Sequence, residues 1–255
     1  MISKHIRSLG LELEGGILSY KLSEFEEKMY NELEDFDLYY SVGSDGSVNV
    51  PCPSSYSYKE CYRWYSNVEI RFWHYDINML IYFVKELWGH SFRQNATCGN
   101  HMHIRFDNIF YASIFSLLDA QLMYINEYKN RYASNPKYIY RLNNQYSQAC
   151  TSQLCINDNM LNRYGSRYRA INFKSITDKG YTTLEIRIMP YANDANELID
   201  MMMFNIRTVE KIINHFTIND KIIVKAFDLK DIKRSLNKIK RSNGKKKKLM
   251  IREVY

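Results

Sequence analysis

Hydrophobic and polar residues alternate with a period of two in four stretches of the chain, a pattern typical of strands that bury one face. The clearest is residues 5–14, in which three leucines alternate with glycine and glutamate. The same alternation recurs in three later stretches: residues 68–74, 98–105 and 181–189. Each stretch therefore predicts a strand with one apolar face for a core and an opposite face that carries ionisable side chains.

Helices are predicted where apolar residues recur every three or four positions. Ser23 and Glu26 form a capping-box pattern at the start of the first helix, and Gly89 follows the second as its C-cap. The predicted helices are residues 23–36, 77–88, 109–131 and 195–216, followed by a basic helix at about 228–241.

Glycine-rich positions predict where the chain turns. Gly15 and Gly16 are expected to end the first strand, and residues 37–50 are expected to form a hairpin that turns at Asp45 and Gly46. Asp45 has an alternative interpretation as a turn residue without a further role. Two segments without a regular period are predicted to be loop-rich: residues 51–67 and 132–164, the second an insertion or a substrate-facing segment.

The net charge of +7 is concentrated at one end of the chain. Residues 221–255 hold 13 of the 35 basic and 3 of the 28 acidic residues, so this segment carries +10 and residues 1–220 carry −3. We therefore expect a main domain over residues 1–220 and a basic C-terminal helix and tail over residues 221–255. Only the tail has the charge for a weak contact with nucleic acid.

The five cysteines are odd in number and scattered, without a C-x-x-C pair. This spacing predicts neither a zinc site nor a disulfide framework and favours a reducing, cytoplasmic location. The longest apolar stretch, residues 109–125, is interrupted by polar side chains, so no membrane segment is expected.

The polar faces of the four predicted strands carry the candidate chemistry. Three of them have two functional side chains at positions i and i+2, which point the same way in a strand. The candidate residues are Glu12 and Glu14, Glu69, His101 and His103, and Glu185 and Arg187. Each pair taken alone is also compatible with an ordinary, partly exposed strand, but three such pairs in one chain favour a site built on an antiparallel sheet.

Carboxylates that outnumber histidines favour Mg²⁺ or Mn²⁺ over a structural zinc ion. Several carboxylates exceed the charge of one divalent ion, so we expect two or more ions that share a polyphosphate, with Arg187 on a phosphate oxygen. The chain has no P-loop, no G-x-G-x-x-G, no kinase signature and no G-x-S-x-G element. The predicted chemistry is therefore held by metal ions and arginine, without a glycine-rich phosphate loop.

The ordered motifs of the chain resemble those of the amidoligases, which belong to the carboxylate–amine ligase superfamily related to glutamine synthetase. The similar segments, spread over roughly residues 5–215, are GLELEGG, SDGSV, NVEIRF, NATCGNHMHIRF, SRYRAINF and TTLEIRIMP. Two positions depart from the family pattern: Arg71 and Phe72 replace a usual Ser-Pro, and Asn100 occupies a usually apolar place. The basic tail lies outside the resemblance.

The resemblance implies an α+β fold, a curved and mainly antiparallel sheet with helices on its outer face, and a concave face that binds ATP and its metal ions. It also implies a reaction in which ATP phosphorylates a carboxylate and an amine then displaces phosphate to form an amide. The implied metal ligands are Glu12, Glu14, Glu69, His101 and Glu185. Arg187 and Arg167 are implied to bind the transferring phosphoryl group, with Glu185 among the catalytic residues. The implied substrate-facing residues are His103, Asn172 and Asp45.

Two other classes of function stay open on the residues alone. A nucleic-acid-binding protein would act through the lysine-rich tail, and a metal-dependent hydrolase would use the same histidines and glutamates to activate water. The residues indicate neither the oligomeric state nor the identity of the acid and the amine, which include free amino acids, peptides, polyamines and protein side chains.

Overall fold

Six strands form the main sheet of the computed structural model, which describes residues 5–33, 39–152, 168–173, 182–218 and 221–222. In chain order the strands are β1 (Ile6–Leu18), β2 (Tyr39–Ser44), β3 (Trp64–His74), β4 (Gly99–Phe106), β5 (Ile171–Asn172) and β6 (Thr183–Pro190). A separate two-stranded sheet consists of β7 (Thr217–Ile218) and β8 (Lys221–Ile222).

Helices lie between and after these strands. They are α1 (Ser19–Leu33), α2 (Tyr58–Cys61), α3 (Ile77–Gly89), α4 (Ile109–Ile114), α5 (Leu118–Tyr132), α6 (Pro136–Asn143) and α7 (Ala195–Phe216). The strand order of the main sheet is β2–β3–β1–β4–β6–β5, and every neighbouring pair in it runs antiparallel. The predicted α+β class and the antiparallel sheet are thus confirmed.

Helices cover the apolar face of this sheet. Leu9, Leu11 and Leu13 of β1 are fully buried and share one core cluster with side chains such as Phe83 of α3 and Met202 of α7. Burying a large apolar side chain contributes about 1.5–3 kcal/mol, so this contact fixes which face of the sheet turns inward. The opposite face, which we call the polar face, carries the ionisable side chains.

β1 is longer than predicted because its two glycines lie inside the strand. A Cβ atom on Gly15 would lie 2.3 Å from the Phe92 ring, and one on Gly16 would lie 2.4 Å from the Trp64 ring. The glycines therefore permit aromatic side chains to pack against the backbone. The prediction that they end the strand is wrong, and β1 continues to Leu18.

The predicted hairpin over residues 37–50 is wrong in its pairing. The chain turns at Asp45, but β2 pairs with β3 and not with the residues that follow the turn. Val48 and Val50 are instead buried in a second, small cluster with Cys98. This packing draws the returning chain away from β2, which stays at the sheet edge.

Three helices differ from their predicted bounds. α3 includes Gly89, and its C-cap is His90 and not the predicted Gly89. α1 begins at Ser19, and the Ser23 hydroxyl donates to the Ser19 carbonyl inside the helix without capping its start. The single helix predicted over residues 109–131 is divided into α4 and α5. At the break, the buried Gln121 side chain donates to the Phe115 carbonyl over 2.6 Å, which satisfies a carbonyl that helix continuation would have used.

Both segments predicted to be loop-rich contain regular structure, so that prediction is wrong in part. Residues 51–67 include α2 and the start of β3, and the described part of residues 132–164 includes the helix α6. Asn135 caps this helix by accepting a hydrogen bond from the Lys137 amide, and Pro136 occupies its first turn. Both are standard signals for a helix start. They were not recognised in the sequence because the apolar periodicity of residues 132–164 is weak.

The cysteine prediction is wrong for at least one pair. Cys52 and Cys61 form a disulfide with a Cα–Cα distance of 5.5 Å, and Cys150 is also disulfide-bonded. Cys98 is a free, buried thiol. The scattered spacing did not reveal the first pair because α2 brings Cys61 back towards Cys52. A reducing location was predicted from the absence of a disulfide pattern, so that prediction loses its basis.

Several predictions lie outside the described residues. Arg167 and residues 223–255, which include the basic helix predicted at 228–241, belong to this part of the chain. Within the described residues, no helix combines the length and the hydropathy needed to cross a membrane.

Candidate metal centre

Strand register gathers the predicted motifs in the middle of the polar face. Glu12 of β1 lies opposite Arg71 of β3 on one side and opposite His101 of β4 on the other. His103 of β4 lies opposite Glu185 of β6. The acidic, imidazole and arginine motifs, which are far apart in sequence, therefore occupy adjacent strands.

Three side chains form the tightest group, which we call the central cluster: Glu12, His103 and Glu185. Each offers one ligand atom, and these atoms lie within 4.8 Å of one another. Glu12 joins both imidazoles, because its Oε1 is 3.1 Å from His103 Nε2 and its Oε2 is 3.1 Å from His101 Nδ1. His101 thus lies beside the cluster, and His103 is a member of it.

The Nε2 atom of His103 is buried without a hydrogen-bond partner among the described residues. Glu12 Oε1 is 3.1 Å away and forms an ion pair with it, but the two atoms do not have hydrogen-bond geometry. On its other side the ring packs against Trp73, with 5.0 Å between ring centroids. Trp73 in turn covers Gly10, where a Cβ atom would lie 2.4 Å from the indole. This packing fixes the imidazole while one nitrogen stays unsatisfied.

Glu185 is held in place by neighbours on three sides. The Asn172 amide donates to its Oε2 over 2.7 Å, and Arg187 forms a short ion pair with its Oε1. His101 Nδ1 is 3.6 Å from the same Oε1. Short strand β5 positions Asn172 directly opposite Glu185, so the predicted substrate-facing residue orients a predicted ligand.

The electrostatics of the cluster keep its carboxylates charged. Burial alone would raise the pKa of Glu12, but contacts with His101 and His103 outweigh it and hold that pKa well below its usual range. Burial would also raise the pKa of Glu185, but the nearby His103 and Arg187 outweigh it and lower that pKa. Charged carboxylates beside imidazole are the donor form that a divalent cation requires.

The pKa values of the two imidazoles shift in opposite directions. Burial and the charge of Arg187 lower the pKa of His101. Burial opposes protonation of His103 too, but Glu12 and Glu185 outweigh it and raise the pKa. The two carboxylates therefore favour positive charge at this position, and a cation bound at Nε2 would compete with a proton for it.

Three predicted ligands lie outside the central cluster: His101, which lies beside it, and Glu14 and Glu69, which have other partners. Glu14 Oε2 accepts a hydrogen bond from the Gly99 amide over 2.5 Å, and burial raises its pKa to about 7. Glu69 is paired with Arg71 over 2.6 Å, and burial together with the charge of Glu12 raises its pKa. None of the three joins a group of three metal-ligating side chains among the described residues.

Asp45 has the contacts of a turn residue. Its Oδ1 accepts hydrogen bonds from the Ser47 amide over 2.7 Å and from the Ser47 hydroxyl over 2.6 Å, and these lower its pKa. A role on the substrate stays a prediction.

Residues that support the site from behind the sheet were not identified from the sequence. The Gln94 side chain donates to the Glu14 carbonyl and to Asn100, and it accepts from the Ala192 amide. Asn100, fully buried, also donates to the Pro190 carbonyl over 2.7 Å. These contacts explain the amide at a usually apolar position. We call Gln94 and Asn100 the amide pair, and its only sequence signal was that departure.

A second unpredicted residue reaches the site from α6. Arg141 Nη2 donates to the Arg187 carbonyl over 2.9 Å. The same guanidinium lies where a Cβ atom on Gly99 would be 2.7 Å away. The glycine before the histidine motif therefore leaves room for an arginine, which no local pattern in residues 132–164 indicated.

The donor set fits a hard divalent cation. Two carboxylates and one imidazole are suitable ligands for Mg²⁺ or Mn²⁺, and the unsatisfied Nε2 of His103 gives a cation a vacant donor. Asn172 and Arg187 contact Glu185 and orient its carboxylate, as residues behind the ligands usually do in metal sites.

No protein-family model and no curated protein matches this sequence. The functional interpretation therefore depends on the residues and their geometry.

Proposed function

We propose that the chain is an ATP-dependent ligase that joins a carboxylate to an amine at a divalent-metal centre on the polar face. One observation carries the proposal: Glu12, His103 and Glu185, from three separate motifs, present ligand atoms within 4.8 Å of one another. The same motifs, in the same order, give the resemblance to the amidoligases. In this proposal the sheet is curved as in glutamine synthetase, and its polar face is the concave face that receives ATP.

The proposed reaction has two steps. A carboxylate oxygen of the acid attacks the γ-phosphorus of ATP, and the bond to ADP breaks to leave an acyl phosphate. The amine nitrogen then attacks the acyl carbon, inorganic phosphate leaves with the carbon–oxygen electron pair, and the amine loses a proton. Each step moves negative charge onto phosphoryl oxygens, where cationic groups lower the barrier most.

The residues of the chain have distinct roles in this scheme. Glu12, His103 and Glu185 hold the cation, which when bound neutralises phosphate charge. Arg187 lies beside Glu185, and its guanidinium suits the oxygens of the transferring phosphoryl group. Asn172 keeps Glu185 in position through its hydrogen bond.

Hydroxylamine provides a test that does not require the natural amine, because it traps acyl phosphates as hydroxamates. The protein is incubated with Mg²⁺, ATP, hydroxylamine and pools of amino acids, dicarboxylates and peptides. We expect hydroxamate and inorganic phosphate in equal amounts. With an ¹⁸O-labelled acid, one labelled oxygen is expected in the phosphate, since that oxygen is the one that attacks ATP.

Matched variants connect this activity to the site. Glu185→Gln should abolish hydroxamate formation, whereas Glu127→Gln, which changes an exposed ion pair with Lys211 on the helices, should not. Phosphate without ¹⁸O would contradict the acyl-phosphate step. Metal-dependent cleavage of esters or amides without ATP would favour a hydrolase on the same site.

A further inference from the structure

Arg71 occupies the gap between two carboxylates of the polar face. Its Nη2 is 2.6 Å from Glu69 Oε1, and its Nε is 3.7 Å from Glu12 Oε1. Strand register explains the position, since Arg71 lies directly opposite Glu12 and two residues beyond Glu69 on β3. The guanidinium therefore lies where a second cation shared by these carboxylates would have to bind.

A divalent ion cannot share this gap with the guanidinium. Mg²⁺ requires oxygen ligands at about 2.0–2.1 Å, and Glu69 Oε1 is already engaged with Arg71. Arginine does not lose its proton in proteins, so it does not become neutral to admit a metal ion. Glu69 accordingly lies outside the central cluster.

The charges of the side chains also favour a single bound divalent ion. Glu12, Glu69 and Glu185 bring three negative charges, and Arg71 and Arg187 return two positive ones. One divalent ion then leaves these five side chains and the ion with a net charge of +1, which suits a bound polyphosphate. A second ion would be opposed by Arg71 at close range.

We infer that Arg71 replaces a second divalent ion, so that the centre binds one ion per chain in the absence of nucleotide. The inference rests on the proposed function and revises the two or more ions expected from the sequence. It also assigns Glu69 to positioning Arg71 and not to metal ligation.

Counting bound Mn²⁺ on the full-length chain tests this inference without any assay of activity. Free Mn²⁺ is measured by electron paramagnetic resonance during titration, and native mass spectrometry gives the number of ions bound. We expect one ion on the wild type and on Arg71→Lys, which keeps the charge. Arg71→Met, which removes it, should bind a second ion at least about tenfold more tightly than the wild type does. Arg105→Met changes an exposed arginine of β4 and should leave the count at one.

The outcomes separate the two proposals. Two ions on the wild type, or a count that stays at one on folded Arg71→Met, would overturn the role of Arg71 while leaving the ligase proposal intact. No ion on the wild type would overturn the metal centre itself and both proposals with it. Circular dichroism on each variant confirms that the counts refer to folded protein.

Discussion

Two adjacent residues of β4, Asn100 and His101, belong to two buried polar regions on opposite faces of the same sheet. On the helix-covered face, Asn100 exchanges hydrogen bonds with Gln94 and donates to a backbone carbonyl. On the polar face, His101 and His103 crowd against carboxylates, and His103 Nε2 has no hydrogen-bond partner among the described residues. The amide pair is complete as it stands, whereas the central cluster has a donor atom left for a ligand. His103 Nε2 is one of several buried atoms without a hydrogen-bond partner among the described residues, and it is distinguished by the two carboxylates within 4.8 Å of it.

The largest expected effect is on stability, from the amide pair. Asn100→Ala removes three buried hydrogen bonds and leaves the Gln94 side chain partly unsatisfied. We expect the free energy of unfolding to fall by about 3 kcal/mol. Urea denaturation measures the change. If the pair is purely structural, Mn²⁺ affinity of the folded variant stays within about threefold of the wild type.

The central cluster should respond in the opposite way. His103→Gln replaces a strong metal donor by a weaker amide, so Mn²⁺ affinity should fall about 10- to 100-fold. The free energy of unfolding of the metal-free protein should fall by less than it does for Asn100→Ala, because His103 loses one partly exposed ion pair with Glu12, whereas Asn100 loses three hydrogen bonds. A loss of stability comparable to that of Asn100→Ala would show that the cluster is structural.

Gly10→Ala tests how the cluster is supported. The added methyl group would overlap the Trp73 ring, which packs against His103. We expect a loss of about 1–3 kcal/mol in the free energy of unfolding and an altered tryptophan emission spectrum. Unchanged stability and emission would mean that Trp73 does not hold the imidazole.

The smallest expected effect concerns Glu14, which connects the two regions. Its carbonyl accepts from Gln94, and its buried side chain has a pKa raised to about 7. The folded state therefore binds more protons at Glu14 than the unfolded state does, so stability should decline as pH rises through that value. In EDTA, Glu14→Gln should show a shallower decline between about pH 5 and 8. Parallel curves for the two proteins would contradict the raised pKa.

The faces of the strands could be predicted from the sequence because alternation reports which side chains turn to the core. Glu12, His101, His103 and Glu185 were identified in this way, and the register brings them together. Alternation does not indicate which strands are neighbours in the sheet, and the order of the strands decides which side chains meet across it. The neighbouring strand β4 places the Gly99 amide beside Glu14, so Glu14 does not join the central cluster. Glu69 pairs with Arg71 two residues further along its own strand, a contact that alternation alone allowed.

Contacts that cross the fold could not be predicted for the same reason. β2 pairs with a strand 20 residues further along and not with its own turn, and Gln94, Asn100 and Arg141 act through partners distant in sequence. Asn100 shows that a departure from an expected apolar pattern was informative, although its meaning depended on Gln94.

Nucleotide binding with and without metal ion tests the central claim most directly. Isothermal titration calorimetry with a non-hydrolysable ATP analogue compares the wild type, Glu185→Gln and the control Glu127→Gln, each in Mn²⁺ and in EDTA. We predict binding to the wild type and to Glu127→Gln in Mn²⁺ only, and none to Glu185→Gln. Equal affinity in Mn²⁺ and EDTA, or undiminished binding to Glu185→Gln, would contradict a metal centre that receives ATP.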